Sequence, residues 1–272
     1  MPRDRDLALD SSHATGHAGP VSMGCMQVAE HAQPLHVGQG RIGVLFLHGF
    51  NSSPHALREW AQITADAGYR VALPRLPGHG THWRELNATR WRDWYNCAER
   101  EFLALTGACD QVFVAGHSMG AALALRLASQ HPGEVAGLAL VNPALLLYGS
   151  QRLVLLASGV VPTVPSRAHD ISRPGSKRHG YDHTPLAPAV SMFRMFADVR
   201  ASLDLISCPT LVFRSTADHV VPGRSTDYLQ THLSSDEIVV RDLPLSYHVA
   251  TLDYDRDRIF AETLAFIAAH SQ

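Results

Sequence analysis

The sequence predicts an α/β fold, a mostly parallel sheet with helices on both faces. Three features carry that prediction. Short runs rich in Val, Leu and Phe recur from Arg41 onward, apolar on both faces rather than one. Each run is followed by a helical pattern. The residues able to do chemistry fall just past the ends of these runs, where open α/β sheets collect their reactive groups.

The elements follow in order. IGVLFLHGF reads as a buried strand, and PHALREWAQITADAG as an amphipathic helix ending on Gly68. YRVALPRLPGHG is a second strand running into a Pro/Gly loop, and TRWRDWYNCAEREFLAL is a helix. QVFVAGHS is the third strand. SMGAALALRLASQHPG is the next helix, closed by Pro132-Gly133, and VAGLALVNPA the fourth strand. After a long interruption come CPTLVFRSTADHVVP, a helix around RSTDYLQTHL, the run EIVVRDLPLSYH and a last helix, DRDRIFAETLAFIAAH. The interruption spans about 144–195. Its first half, ALLLYGSQRLVLLASGVVPTVP, has the apolarity of a membrane span, but Gln151 and Arg152 break it near its start and prolines end it. An apolar insertion between core strands is expected to form a cap over the strand ends, with a substrate pocket beneath it.

Composition bounds the remaining choices. With 46% hydrophobic and 18% charged residues, the chain is expected to form one globular domain over 26–272, preceded by a mobile extension over 1–25. That extension alternates charge, Ser, His and Gly without an apolar core of signal-peptide length, so the expected location is cytoplasmic. Met23 and Met26 are alternative starts. A net charge of -2 gives no footprint for nucleic acid or an anionic membrane. At most, transient contact with lipid surfaces through the cap is expected; the oligomeric state is left open. The 4 cysteines, Cys25, Cys97, Cys109 and Cys208, include no close pair, which argues for reduced thiols rather than a disulfide framework or a zinc site. Of the 17 histidines, His13, His17, His31 and His36 sit in a loose tail without ligand spacing, and no metal is expected.

The chemistry centres on Gly116-His117-Ser118-Met119-Gly120. Between an apolar run and an Ala-rich helix, this G-x-S-x-G is a nucleophile elbow, with glycines where a Cβ would strike a neighbouring element. A serine hydroxyl needs a general base, and the chain order expected on this fold is Ser, Asp, His. Asp218, past the strand TLVF, and His248, past EIVVRDL and before the final helix, meet that order. Asp218 would orient His248, and His248 would shuttle the proton. Asp204, Asp253, Asp255 and Asp257 are less well placed. The oxyanion would be held by the backbone N–H groups of Phe50, leaving the strand through LHGF, and of Met119. His117 and His219 are read as pocket lining, His48 as a structural support of its loop, and His79 as part of a scaffold turn.

LHGF, LPGHGTH, GHSMG, ADHVVP and SYHVATLDYD together resemble the α/β-hydrolase superfamily, and more narrowly the bacterial monoacylglycerol lipases and their carboxylesterase relatives. The resemblance runs from Leu35 to His270. It implies the α/β-hydrolase fold, Ser118, Asp218 and His248 as triad, Phe50 and Met119 as oxyanion hole, and no cofactor. It also implies a cap that shapes an apolar acyl tunnel with a polar end for the alcohol, and it makes Asp182, in YDHTP, the candidate glycerol contact. The chain departs from the family pattern at His117 and Ala121, and matches it least in the first half of the cap. The function expected is hydrolysis of monoacylglycerols and short- to medium-chain esters. The alternatives are a general carboxylesterase, thioesterase or lactonase with the same triad, or a non-catalytic ligand receptor that keeps the fold.

Overall fold

The computed structural model describes residues 27–149, 151, 161–166, 170–177 and 179–271. The expected N-terminal extension, with Met23, Cys25 and Met26, and much of the first half of the cap, with Arg152, lie outside these residues.

Strands β1 (Leu35–Val37), β2 (Ile42–Leu47), β3 (Arg70–Leu73), β4 (Gln111–His117) and β5 (Val135–Val141) come before the cap. In the segment between β5 and β8 that is expected to form the cap, β6 (Thr163–Pro165) and β7 (His183–Pro185) form a short antiparallel pair. β8 (Thr210–Ser215) and β9 (Ile238–Leu243) follow it. The main sheet has seven strands in the order β1-β3-β2-β4-β5-β8-β9. Only β1, paired with β3, is antiparallel; every other pairing is parallel.

Why these runs become strands is visible in how they bury. Leu45, Leu47, Val112, Val114, Leu138 and Leu140 enter one core. Their immediate neighbours Val44, Phe46, Phe113, Ala115, Ala139 and Val141 enter a second core on the opposite face. Side chains alternate across a strand, so only a continuous apolar run can fill both cores at once. Helices α1 (His55–Asp66) and α7 (Arg256–His270) cover the second core, contributing Leu57, Trp60, Ile259 and Phe260. The first is covered by α3 (Trp91–Thr106), α4 (Met119–Gln130) and α5 (Leu186–Arg200). A short helix α2 (Trp83–Ala88) and α6 (Arg224–His232) are also among the described elements. The cap boundary expected near 195 falls inside α5, which continues to Arg200. Among the described residues no helix is long and apolar enough to cross a membrane.

On one edge, His31 before β1, His55 at the start of α1 and His179 in the cap pack ring on ring. His179 stacks on His31 at 4.0 Å between centroids and meets His55 edge-on at 4.5 Å.

Candidate active site

Ser118 stands between β4 and α4 with φ 57° and ψ −115°, a conformation that non-glycine residues rarely adopt. The two elbow glycines explain how the turn fits. A Cβ on Gly120 would lie 1.8 Å from the Leu47 carbonyl oxygen, and one on Gly116 would lie 2.5 Å from that of Gly120. Both contacts are with backbone, so no side chain could swing away to make room. The Ser118 N–H is bound to the Val141 carbonyl at 3.0 Å, which ties the turn to the neighbouring strand end.

His248 and Asp218 reach this serine from the loops after β9 and β8. Ser118 Oγ lies 3.0 Å from His248 Nε2, and His248 Nδ1 lies 2.7 Å from Asp218 Oδ2. The other Asp218 oxygen, Oδ1, accepts the N–H groups of Val220 and Val221 at 2.7 Å each. Burial pushes the Asp218 pKa up, but the adjacent imidazole and these hydrogen bonds outweigh it and hold the carboxyl below its usual range. A carboxylate there puts the imidazole proton on Nδ1 and leaves Nε2 as the acceptor for the serine hydroxyl. The His248 and Asp218 side chains are each only 5% exposed, so their interaction is little screened by water.

The His248 carbonyl is held from beneath by two donors, His117 Nε2 at 2.9 Å and Asn142 Nδ2 at 2.8 Å. Asn142 has φ 47° at the end of β5, and its Oδ1 accepts the Ser215 N–H at 2.8 Å. It therefore joins the ends of β5 and β8 to the His248 loop. In the sequence the one signal of Asn142 is an Asn just past a strand end, in VNPA. His117 corrects an expectation. It is buried and absent from the pocket lining, because as the last residue of β4 it follows Phe113 and Ala115 onto the face away from α4. It braces His248 instead of lining the pocket, whereas His219 does line it.

Phe50 lines the same cavity as Ser118. Met119 is the first residue of α4 and so carries one of the N–H groups that a helix leaves without an intrahelical partner. The loop of Phe50 is fixed by His48, whose Nε2 accepts the Leu76 N–H at 3.2 Å and whose Nδ1 must then donate to the Gly49 carbonyl at 3.0 Å. His48 is thus structural, as expected, and His79 is likewise buried in its own turn, 3.1 Å from the Pro77 carbonyl.

Above Ser118 lies a cavity of about 560 Å³ between sheet and cap. Its walls are mostly apolar, with Leu146, Val164, Leu186, Met192, Phe193 and Phe196 prominent, and Asn51, Ser166 and Thr184 add polar atoms. No Asp, Glu, Lys or Arg is among the described lining residues. Asn51 fastens the cap to this rim. Its Oδ1 accepts the Tyr181 N–H at 3.0 Å, and its Nδ2 donates to Ser166 Oγ at 2.9 Å. Asp182 is a second correction: it is exposed and lies outside the cavity lining. Tyr181 turns inward, its hydroxyl donating to the Gly78 carbonyl at 2.7 Å and accepting the Thr81 N–H at 2.9 Å. Asp182 follows it at a bend just before β7.

Cys97, Cys109 and Cys208 are free thiols. Burial raises the pKa of each, that of Cys208 to about 11, which disfavours the thiolate, and none of the three is among the residues lining the cavity at Ser118. Among the described residues no group of three or more His, Cys, Asp or Glu could hold a metal ion.

A parallel sheet with a serine on a strained strand-to-helix turn, facing a histidine and an aspartate from later strand ends, defines an α/β-hydrolase. Residues 38–255 match the family described as serine aminopeptidase, S33, and the chain belongs to that family. The thermostable monoacylglycerol lipase of Bacillus sp. (strain H-257) is 39% identical over 90% of this chain and 97% of its own. A solved structure reported for the metagenome-derived lipolytic enzymes LipS and LipT superposes with a TM-score of 0.86 at 37% identity, covering 90% of this chain and all of that one. The Paleococcus ferrophilus monoacylglycerol lipase shares the fold, with a TM-score of 0.75 at 16% identity over 88% of this chain and 99% of its own.

Proposed function

We propose that this chain is a serine ester hydrolase that cleaves monoacylglycerols, and other short- to medium-chain esters, to a free fatty acid and an alcohol. The observation that carries the reading is the apolar cavity of about 560 Å³ opening on Ser118. An acyl chain is matched by such walls. The substrate of an aminopeptidase, the activity the family description names, carries an ammonium group, for which the described lining offers no carboxylate partner. The relatives named as monoacylglycerol lipases favour glycerol as the alcohol.

In the proposed reaction, Ser118 Oγ attacks the ester carbonyl as His248 Nε2 takes its proton. The negative charge that develops on the carbonyl oxygen is met by the N–H groups of Phe50 and Met119. Losing one such donor typically costs ~10²–10³ in turnover. Asp218 stabilises the imidazolium, which then protonates the departing alcohol. Water, activated by the same imidazole, releases the fatty acid and restores the serine.

Two measurements test the reading. A fluorophosphonate should label the wild-type protein at Ser118 and leave Ser118→Ala unlabelled; fast labelling of the variant would mean another nucleophile. A panel of monoacylglycerols of graded acyl length, a triacylglycerol and simple aryl esters should show cleavage of at least one monoacylglycerol. Cleavage of the aryl ester with none of the monoacylglycerols would leave a general carboxylesterase, thioesterase or lactonase.

A further inference from the structure

One carboxylate from the cap touches both loops that carry His248 and Asp218. Asp170 Oδ2 accepts the backbone N–H of His248 at 3.1 Å and that of His219, the residue after Asp218, also at 3.1 Å. Its Oδ1 lies 2.7 Å from His219 Nδ1, and its own carbonyl accepts the Val249 N–H at 3.1 Å. The Asp170 side chain is only 14% exposed. The contact is reciprocated by Asp253, which is fully buried in the core. Asp253 accepts the cap N–H groups of Ser172 at 2.7 Å and Arg173 at 2.9 Å, together with the Tyr247 N–H at 2.9 Å. A cap carboxylate thus holds the core loops, and a core carboxylate holds the cap backbone beside it.

We infer that Asp170 is a positioning residue, through which seating of the cap sets the register of His248 against Asp218 and Ser118. The inference rests on the roles given to those three residues above. On the sheet side, the His248 loop is already fixed by the bonds of its carbonyl to Asn142 and His117. Asp170 supplies the restraint on the opposite side, and it supplies the same oxygen to both loops. Two loops that share one acceptor cannot drift apart without one of them losing its hydrogen bond. The imidazole they position must stay within proton-transfer distance of Ser118 Oγ, and a misplacement of about 1 Å in a reacting group costs on the order of 10²-fold in rate. The carboxylate touches no reacting atom and acts through the peptide groups next to the triad.

The test compares Asp170→Ala, Asp170→Leu, which fills the space but accepts no hydrogen bond, and Asp170→Asn, whose amide oxygen still accepts both N–H groups. Ile259→Val, in the core on the opposite face of the sheet, is the stability control. Each is assayed on a short-chain aryl ester, with kcat normalised to the sites a fluorophosphonate can titrate. The Ala and Leu variants should lose about 10- to 100-fold in kcat with KM changed less than about threefold. The Asn variant should stay within about threefold of wild type, and Ile259→Val should lower only Tm. In ¹H NMR, the downfield resonance of the His248 Nδ1 proton should broaden or shift in Ala and Leu and persist in Asn. Wild-type kcat and an unaltered resonance in either the Ala or the Leu variant would overturn the inference, and so would an Asn variant as impaired as they are. A wild-type protein that the phosphonate does not label at Ser118 would instead overturn the proposed function, whatever the variants do.

Discussion

Replacing Asp218 by Asn exchanges one heavy atom, an oxygen for an NH₂ nitrogen, and should nearly abolish turnover, for a reason specific to this loop. Asp218 Oδ1 accepts two backbone N–H groups, from Val220 and Val221, at 2.7 Å. An asparagine can satisfy both only with its amide oxygen, which turns its NH₂ toward His248 Nδ1. The imidazole must then accept at Nδ1 and carry its proton on Nε2, where it faces Ser118 Oγ at 3.0 Å and cannot act as a base. The opposite flip would restore the tautomer but leave two buried N–H groups against an NH₂. At about 1–3 kcal/mol per unsatisfied group, that flip lies about 2–6 kcal/mol higher, which alone removes roughly 30- to 10⁴-fold of the competent form. Loss of the carboxylate that stabilises the imidazolium adds to this, so we expect a fall of about 10⁴ in kcat, the size seen when a triad aspartate is so replaced. The assay is steady-state hydrolysis of an aryl ester, with a thermal melt to show that the near-isosteric change leaves the fold intact. More than a tenth of wild-type activity in Asp218→Asn would refute the tautomer argument.

Three further outcomes are expected. Asp182→Ala should leave KM for a monoacylglycerol within about twofold of wild type, because the residue is exposed and outside the cavity; a tenfold rise would return it to the alcohol site. Gly120→Ala should yield little folded protein, since its Cβ meets the Leu47 carbonyl at 1.8 Å, whereas Gly223→Ala, with nothing within 4 Å and φ −53°, should melt within a degree or two of wild type, the signal being soluble yield and Tm. Burial first, then repulsion from His179, lowers the pKa of both His31 and His55 from 6.5. Below pH 6.5 the unfolded chain therefore binds the extra protons, and these groups withdraw stability as pH falls from there through their folded pKa values. A His179→Gln variant should accordingly show a shallower loss of Tm between pH 8 and pH 5 than wild type; an identical slope would count against the cluster.

How much of this could be read from the chain alone depended on the range of the interaction. The main parallel strands were legible because each must fill two cores, as Phe46 and Leu47 do. The elbow was legible because its steric demand is local, falling two residues either side of Ser118. Asp218 and His248 followed from chain order and strand ends. β1 and α2 went unread: a three-residue strand and a six-residue helix hold too few residues for a period. Asn142 and Asp170 went unread for another reason. Their partners lie 73 to 106 and 49 to 78 residues away, and nothing beside them in the chain announces the contact. Asp182 was less legible because resemblance to a motif gives a residue's place in the chain, while the direction of its side chain is set by the fold around it, here beside the anchored Tyr181.

The dual employment of α5 limits how the specificity of this scaffold can be retuned. β5 and β8 lie side by side and run parallel, so the chain must travel back along the sheet between them, and α5 is part of that return path. The same helix forms one wall of the cavity. Ala189 and Val190 belong to that wall without entering the main cluster, whereas Met192 and Phe196 belong to both. Variation in substrate range should therefore accumulate at 189 and 190, where a bulkier residue shortens the space at small energetic cost. At 192 and 196 each truncation that admits a longer substrate also removes packing from beneath the elbow, and lineages that widen the site there would need a compensating change elsewhere in the interior.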